Sequence, residues 1–245
     1  MLIFNLLRNL HLDRYYKNYD ASLVENIKDI YEGKRCFLLG TGPSINNTNH
    51  SCLKNEIIFG TNTIYKDNFF PEFSYYCVSD KNVWKEHKLQ IMRERTQLIL
   101  SGHAGRDYLK NKEEYKNRIY KEPIVLKDLG CIRRNGWKDK DLTHGTYWGN
   151  SIMIDCALPV AYWMGFSEVY LLGCDCNYRN IHHFDGEKYT FQKDTKSYYD
   201  KHWEKVFDSH ILIKQDFEKD NRIIKNATPK SSLLVYDKVK LEEII

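Results

Sequence analysis

No hydrophobic run in this 245-residue chain approaches the roughly 18 residues that a spanning helix needs. Charge of one sign is not in excess either. Lys and Arg number 37 against 33 Asp and Glu, a formal net charge of +4 with both signs spread along the chain. Such a balance tolerates anionic ligands but makes no case for nucleic acid as a partner. The seven cysteines are an odd number, and several lie inside apolar runs. They fit buried free thiols in a reducing, cytoplasmic setting better than a disulfide framework. The sequon-like triplets at Asn46, Asn49 and Asn226 are accordingly set aside. No internal repeat and no low-complexity segment interrupts the chain. What is present is globular: 42% hydrophobic, 14% aromatic, with 18 tyrosines suited to packing and to meeting polar ligands.

The first residues, "MLIFNLLRNLHLDRYYKNY", place Leu2, Ile3, Leu6, Leu7 and Leu10 on one helical face, with Arg8, Arg14 and Lys17 nearby. The apolar stretch is too short and no small-residue cleavage site follows, so a secretory signal is not indicated. A helix packed on its own domain or on a second copy, and an interfacial helix at the inner face of a membrane, both fit that pattern. Residues 1–30 form this amphipathic segment, and residues 31–245 read as a single domain.

Within that domain short apolar runs alternate with helical spacing. Helical periodicity covers 21–35, ending at Gly33, and recurs in 150–165 and 195–220. Strand-like runs are CFLLG (36–40), EIIFGTN (56–62), FSYYCVSD (73–80), TQLILSG (96–102), EVYLLGCD (168–175) and RIIKNAT (222–228). The alternation predicts an α/β fold, a Rossmann-like and mostly parallel sheet flanked by helices. Residues 103–148 have weak periodicity and read as a lid or an excursion from the sheet. Pro159 should kink or break the 150–165 helix, with Asn150 or Ser151 as its N-cap.

Four of the runs end in small or polar residues: Gly40-Thr41-Gly42, Gly60-Thr61-Asn62, Ser79-Asp80 and Gly173-Cys174-Asp175. Ligands of open parallel sheets bind at the carboxyl ends of strands, so a polar cleft is expected along one sheet edge. Gly40-Thr41-Gly42-Pro43-Ser44 lacks the Gly-Lys-Ser/Thr end of a P-loop and the third glycine of the dinucleotide fingerprint. A turn with exposed N–H groups remains, open to a phosphate or simply tight. Asn62 and Asp80 can hydrogen-bond a base or sugar, or can merely form turns. Cys174, Asp175, Cys176, His182 and His183 lack zinc-site spacing, so no metal is expected there. His183, His182 or His202 fits a general base better than a ligand.

"KRCFLLGTGPSINNTNHSCLKNEIIFGTNTIY", "GNSIMIDCALPVAYWMGFSEVYLLGCDCNY", "HHF" and "IIKNATPKSSLLVYDKV" resemble, in this order, bacterial surface-polysaccharide proteins labelled 6-hydroxymethylpterin pyrophosphokinase MptE-like. They also resemble the bacterial sialyltransferases of glycosyltransferase family 42. The resemblance spans about 30–85 and 145–240. It implies a metal-independent, inverting transfer of a sialic or nonulosonic acid from a CMP-sugar to a surface glycan. The donor is then a substrate, and no cofactor is implied. On the matching positions, Gly40, Thr41, Gly42, Pro43 and Ser44, Asn62, Asp80, Asn150, Ser151, Asp175, Asn177 and Tyr178 would bind the nucleotide. His183 would be the base, and Tyr189, Arg133 and Arg134 would belong to the lid or acceptor region. Thr41 stands where the sialyltransferases carry Asn. Two other readings are diphosphate transfer from ATP to a pterin-like alcohol and a non-catalytic nucleotide-binding subunit of a polysaccharide assembly complex.

Overall fold

A computed structural model of the chain describes residues 16–67, 73–177, 183–186 and 196–245, with the side chains of 50, 196–200 and 202 outside that description. The N-terminal helical pattern up to residue 15, Tyr178, His182, Tyr189 and the His202 side chain lie outside the described residues.

The main sheet has eight strands: β1 (Arg35–Leu39), β2 (Ile58–Thr61), β3 (Tyr75–Val78), β4 (Gln97–Leu100), β5 (Ile124–Val125), β8 (Glu168–Leu172), β9 (Ile223–Asn226) and β10 (Asp237–Lys238). Between β5 and β8 the chain makes a separate two-stranded sheet, β6 (Asp128–Cys131) with β7 (Thr146–Trp148). The order across the main sheet is β10-β9-β8-β1-β2-β3-β4-β5, and every adjacent pair is parallel. This is the expected α/β, Rossmann-like arrangement.

Parallel sheets are covered on both faces, so their strands are apolar on both sides. β1 shows this directly. Cys36 and Leu38 point into one core with Val169 and Leu171 of β8, while Phe37 and Leu39 point into the other with Tyr170 and Leu172. The second core is closed by α2 (Lys81–Ile91), through Trp84 and Ile91, and by α3 (Gly102–Lys110), through Ala104, Tyr108 and Leu109. The first is closed by Met153, Ile154, Val160 and Trp163, and by Ile213 and Phe217 of the long α7 (Lys196–Lys219).

Three local expectations change. The helical pattern over 21–35 yields only α1 (Ser22–Glu25). Asp29 takes a left-handed backbone, φ 52°. The N–H groups of Asp29, Tyr31 and Gly33 then bond the carbonyls of Trp163, Met164 and Gly165 instead of their own helix. Residues 103–148 are not one excursion: they hold α3, the short α4 (Lys112–Tyr115), the sheet-edge β5, the β6–β7 pair and α5 (Ile132–Asn135). The 150–165 helix is interrupted as predicted, but by a π-turn at Met153–Ala157 that precedes α6 (Leu158–Trp163). The π-turn runs straight into α6, whose second residue is Pro159, so the irregular turn lies where the proline supplies no N–H to the helix.

Candidate functional site

The chain builds β1 to β5 outward in one direction, then returns to add β8, β9 and β10 on the other side of β1. The connections leaving β1 and β8 therefore diverge, which is the topological switch point of an open α/β sheet. A cavity of about 770 Å³ opens there, lined by Gly40, Thr41, Gly42, Asn62, Asp80, Asn150, Ser151, Asp175 and His183 among others. Nine of the sequence-predicted site residues are thus gathered from six separate chain segments. Pro43, Ser44, Asn177, Arg133 and Arg134 do not line it.

The glycines of the β1 turn have a steric reason. Gly40 and Gly173 pass each other so closely that a Cβ on Gly40 would lie 2.6 Å from the Gly173 carbonyl oxygen. A Cβ on Gly173, whose φ is +64°, would lie 2.5 Å from the Gly40 oxygen. One on Gly42 would fall 1.9 Å from Asp175 Oδ2. The turn's donors are engaged within the protein. Gly40 N–H reaches Leu172 O and Gly42 N–H reaches Gly173 O, both at 2.8 Å. Ser44 donates its N–H to Asp175 Oδ1 at 3.1 Å and its hydroxyl to Oδ2 at 2.7 Å. Asp175 thus occupies the place that the sequence reading gives to a phosphate, and Ser44 turns toward it rather than toward the cavity. Burial pushes the Asp175 carboxyl up, opposed by the two Ser44 hydrogen bonds.

The β8 turn is braced from behind by the late segment. Cys174 N–H donates to Thr228 Oγ1 at 3.0 Å, Ser231 Oγ donates to Cys174 O at 2.6 Å, and Ser232 N–H to Asp175 O at 2.8 Å. Asn226 orders that segment by donating Nδ2 to Ser231 Oγ and Leu233 O. Buried His210, its basicity lowered by desolvation to a pKa of about 3, lines the cavity and sits 2.8 Å from Tyr236 Oη. Short polar residues in a terminal stretch gave no signal of this bracing role.

His183 Nδ1 lies 2.8 Å from Thr41 Oγ1, and the following N–H, of Phe184, donates to Thr41 O at 3.0 Å. Asn46 Nδ2 holds Phe184 O at 2.8 Å, and Lys66 pairs with Asp185 at 2.9 Å. The His183–Gly186 segment is therefore fastened to the β1 and β2 loops, with the imidazole at the cavity.

On the opposite wall, Asp80 caps α2, its Oδ1 accepting Asn82 N–H at 2.7 Å and Val83 N–H at 2.8 Å. Asn62 and Asn150 both hold left-handed backbones, φ 50° and 64°. Asn62 Oδ1 and Asn150 Nδ2 are buried without a hydrogen-bond partner among the described residues. The helical start that follows, at Ile152, has no side-chain cap. Asp155, which the sequence reading missed, reaches back instead, accepting Gly149 N–H at 2.6 Å.

Among the described residues, the acidic side chains around the cavity are Asp80, Glu86, Asp155 and Asp175, with Lys81 as the lysine there. Among the described residues no three His, Cys, Asp or Glu side chains are grouped to hold a metal. All seven cysteines are free thiols. Among the described residues no helix is long and apolar enough to cross a membrane.

Residues 9–181 match the family described as 6-hydroxymethylpterin diphosphokinase MptE-like. The chain belongs to that family. Comparison with curated proteins returned no match. In this MptE-like chain, the matched span carries β1 to β8 and hence both sides of the switch point, while the bracing residues Asn226, Thr228 and Ser231 follow it.

Proposed function

We propose that this MptE-like protein is a transferase whose switch-point cleft holds a nucleotide-activated donor, a CMP-linked acidic sugar of the sialic or nonulosonic type. The acceptor is a hydroxyl of a surface glycan. His183 takes the acceptor proton, the oxygen attacks the anomeric carbon, the carbon–oxygen bond to phosphate breaks, and CMP leaves with inversion. The observation that carries this reading is the Thr41–His183 contact, 2.8 Å, which sets an imidazole at the cleft. In the tautomer whose Nδ1–H donates to Thr41, the ring's lone pair is on Nε2, the arrangement a general base requires.

The charge around the cavity supports a donor with one phosphate over one with three. Among the described residues four carboxyl side chains face one lysine there, and repulsion grows with each added phosphate. The β1 turn offers few free donors, so Lys81 and Asn82 at the start of α2 are the groups suited to the leaving phosphate.

The family description favours a second reading, diphosphate transfer from ATP to a pterin-like alcohol. A divalent ion would then arrive on the nucleotide as part of the substrate. Thermal-shift titration with CMP, UDP, GDP and ATP, each with and without Mg²⁺, separates the two. Stabilisation by CMP without metal supports the first, and stabilisation by ATP only with Mg²⁺ reverses the ranking. His183→Ala should lower transfer about 10²- to 10⁴-fold while CMP still binds. Full activity in that variant rules out the base assignment. Nucleotide binding without turnover by any donor would leave the protein a binding subunit.

A further inference from the structure

Asp155 is a carboxyl that the transfer chemistry above does not use. It lines the cavity on the one π-turn found among the described residues, an irregularity that often marks functional positions. Its Oδ1 accepts the Gly149 N–H at 2.6 Å, and the Ser151 N–H and the Ser79 side chain are polar groups that favour its ionised form. Its own N–H donates to Ser151 O at 2.8 Å. Asp155 thus grips the residues on both sides of Asn150. Gly149 cannot move aside easily, because a Cβ there would lie 2.5 Å from Ile154 Cγ2 and 2.8 Å from Ser209 Oγ. Held at both ends, Asn150 takes its left-handed backbone, and its Nδ2 is buried without a partner among the described residues.

We propose that Asp155 is the positioning residue of the nucleotide site: its carboxylate clamps the Gly149–Ser151 turn and so aims the Asn150 amide at the bound nucleotide. This rests on the cleft being the nucleotide site. The clamp is strongest when ionised, because hydrogen bonds to a carboxylate are stronger than those to a neutral acid. Burial raises this carboxyl from 3.8 to about 7, so the clamp tightens as pH rises through neutrality. The charged group acting on it from a neighbouring element is Asp128 of β6, which raises it further and which itself pairs with Arg106 of α3 at 3.5 Å. Ser79, just beyond β3, is the polar group that lowers it.

Calorimetric titration of CMP, UDP, GDP and ATP between pH 5.5 and 8.5 tests this with the full chain, Asp155→Asn and Asn150→Gly. Wild-type affinity should rise about tenfold across neutrality. Asp155→Asn and Asn150→Gly should each bind about tenfold more weakly at pH 8, with that pH dependence flattened. Glycine keeps the left-handed backbone, so Asn150→Gly reads the amide even if Asp155→Asn does not fold. Amide exchange at Gly149 should slow as pH rises through 7, after correction for intrinsic rates, in wild type and not in Asp155→Asn. A wild type that binds none of the four nucleotides overturns the cleft reading and this inference together. Binding by both variants that matches wild type in strength and pH profile overturns the positioning role alone.

Discussion

The cleft has two walls, each drawn together by one aspartate, and the two are built on different terms. On the β1–β8 wall, Asp175 is half-buried and holds Ser44 across a seam where Gly40, Gly42 and Gly173 let backbones touch. On the other wall, Asp155 is enclosed and holds a turn strained into the left-handed region at Asn150. The first wall is fixed by contact: at Gly40, Gly42 and Gly173 no larger side chain fits. The second is fixed by charge, and that charge is carried by a group titrating near 7. A parallel-sheet cleft can thus combine a rigid side and an adjustable side with the same residue type.

Breaking the rigid side has the largest expected effect on stability. Gly42→Ala puts a Cβ 1.9 Å from Asp175 Oδ2 and 2.6 Å from the Gly173 oxygen. The carboxylate can swing away but the carbonyl cannot, so a loss of about 3 kcal/mol is expected in chemical denaturation. Gly42 has φ −72°, so backbone strain plays no part, and an unchanged midpoint would mean that the seam is looser than these distances.

The adjustable side should respond in the opposite direction. The folded protein holds the Asp155 proton that the unfolded chain releases between pH 3.8 and about 7. Its stability therefore falls as pH rises across that window and levels off above it. Asp155→Asn should melt higher than wild type at pH 8, by roughly 1–3 kcal/mol, with the gap closing as pH is lowered toward 4. A lower melting point at pH 8 would show that the ionised carboxylate's hydrogen bonds outweigh its desolvation.

The smallest effect sharpens the seam's link to chemistry. Thr41→Val removes the hydroxyl facing His183 and nearly keeps the shape. It should lower kcat about tenfold, with donor KM and melting temperature little changed, because one orienting hydrogen bond is worth about 1 kcal/mol. A rise in KM alone would place Thr41 on the nucleotide instead.

Six strands, and the polar ends that four of them share, were legible because buried parallel strands are apolar on both faces and stop abruptly at Gly, Ser, Asp or Asn. Ile124–Val125 and Asp237–Lys238 were not, since two residues carry no periodicity. The 21–35 pattern misled because Ile27 and Tyr31 do pack on the core, but in turns tied to Trp163–Gly165. At the site, the residues could be named but their internal partners could not. That Ser44 faces Asp175, and that Asp155 replaces Asn150 or Ser151 at the helix start, depends on contacts between distant segments. Thr41, a departure from the sialyltransferase pattern, acquires a reason once His183 is seen beside it.

The order of the strands also bears on how the molecule comes into being. β1 pairs on one side with β2, soon after it, and on the other with β8, where Arg35 meets Glu168. Contacts this far apart in sequence close slowly, because the intervening chain must first be ordered. During synthesis the β1–β5 half of the sheet can assemble while β1 still has an open edge. The seam needs β8 and the segment near residue 230 that braces it, so it can close only after those residues have been made.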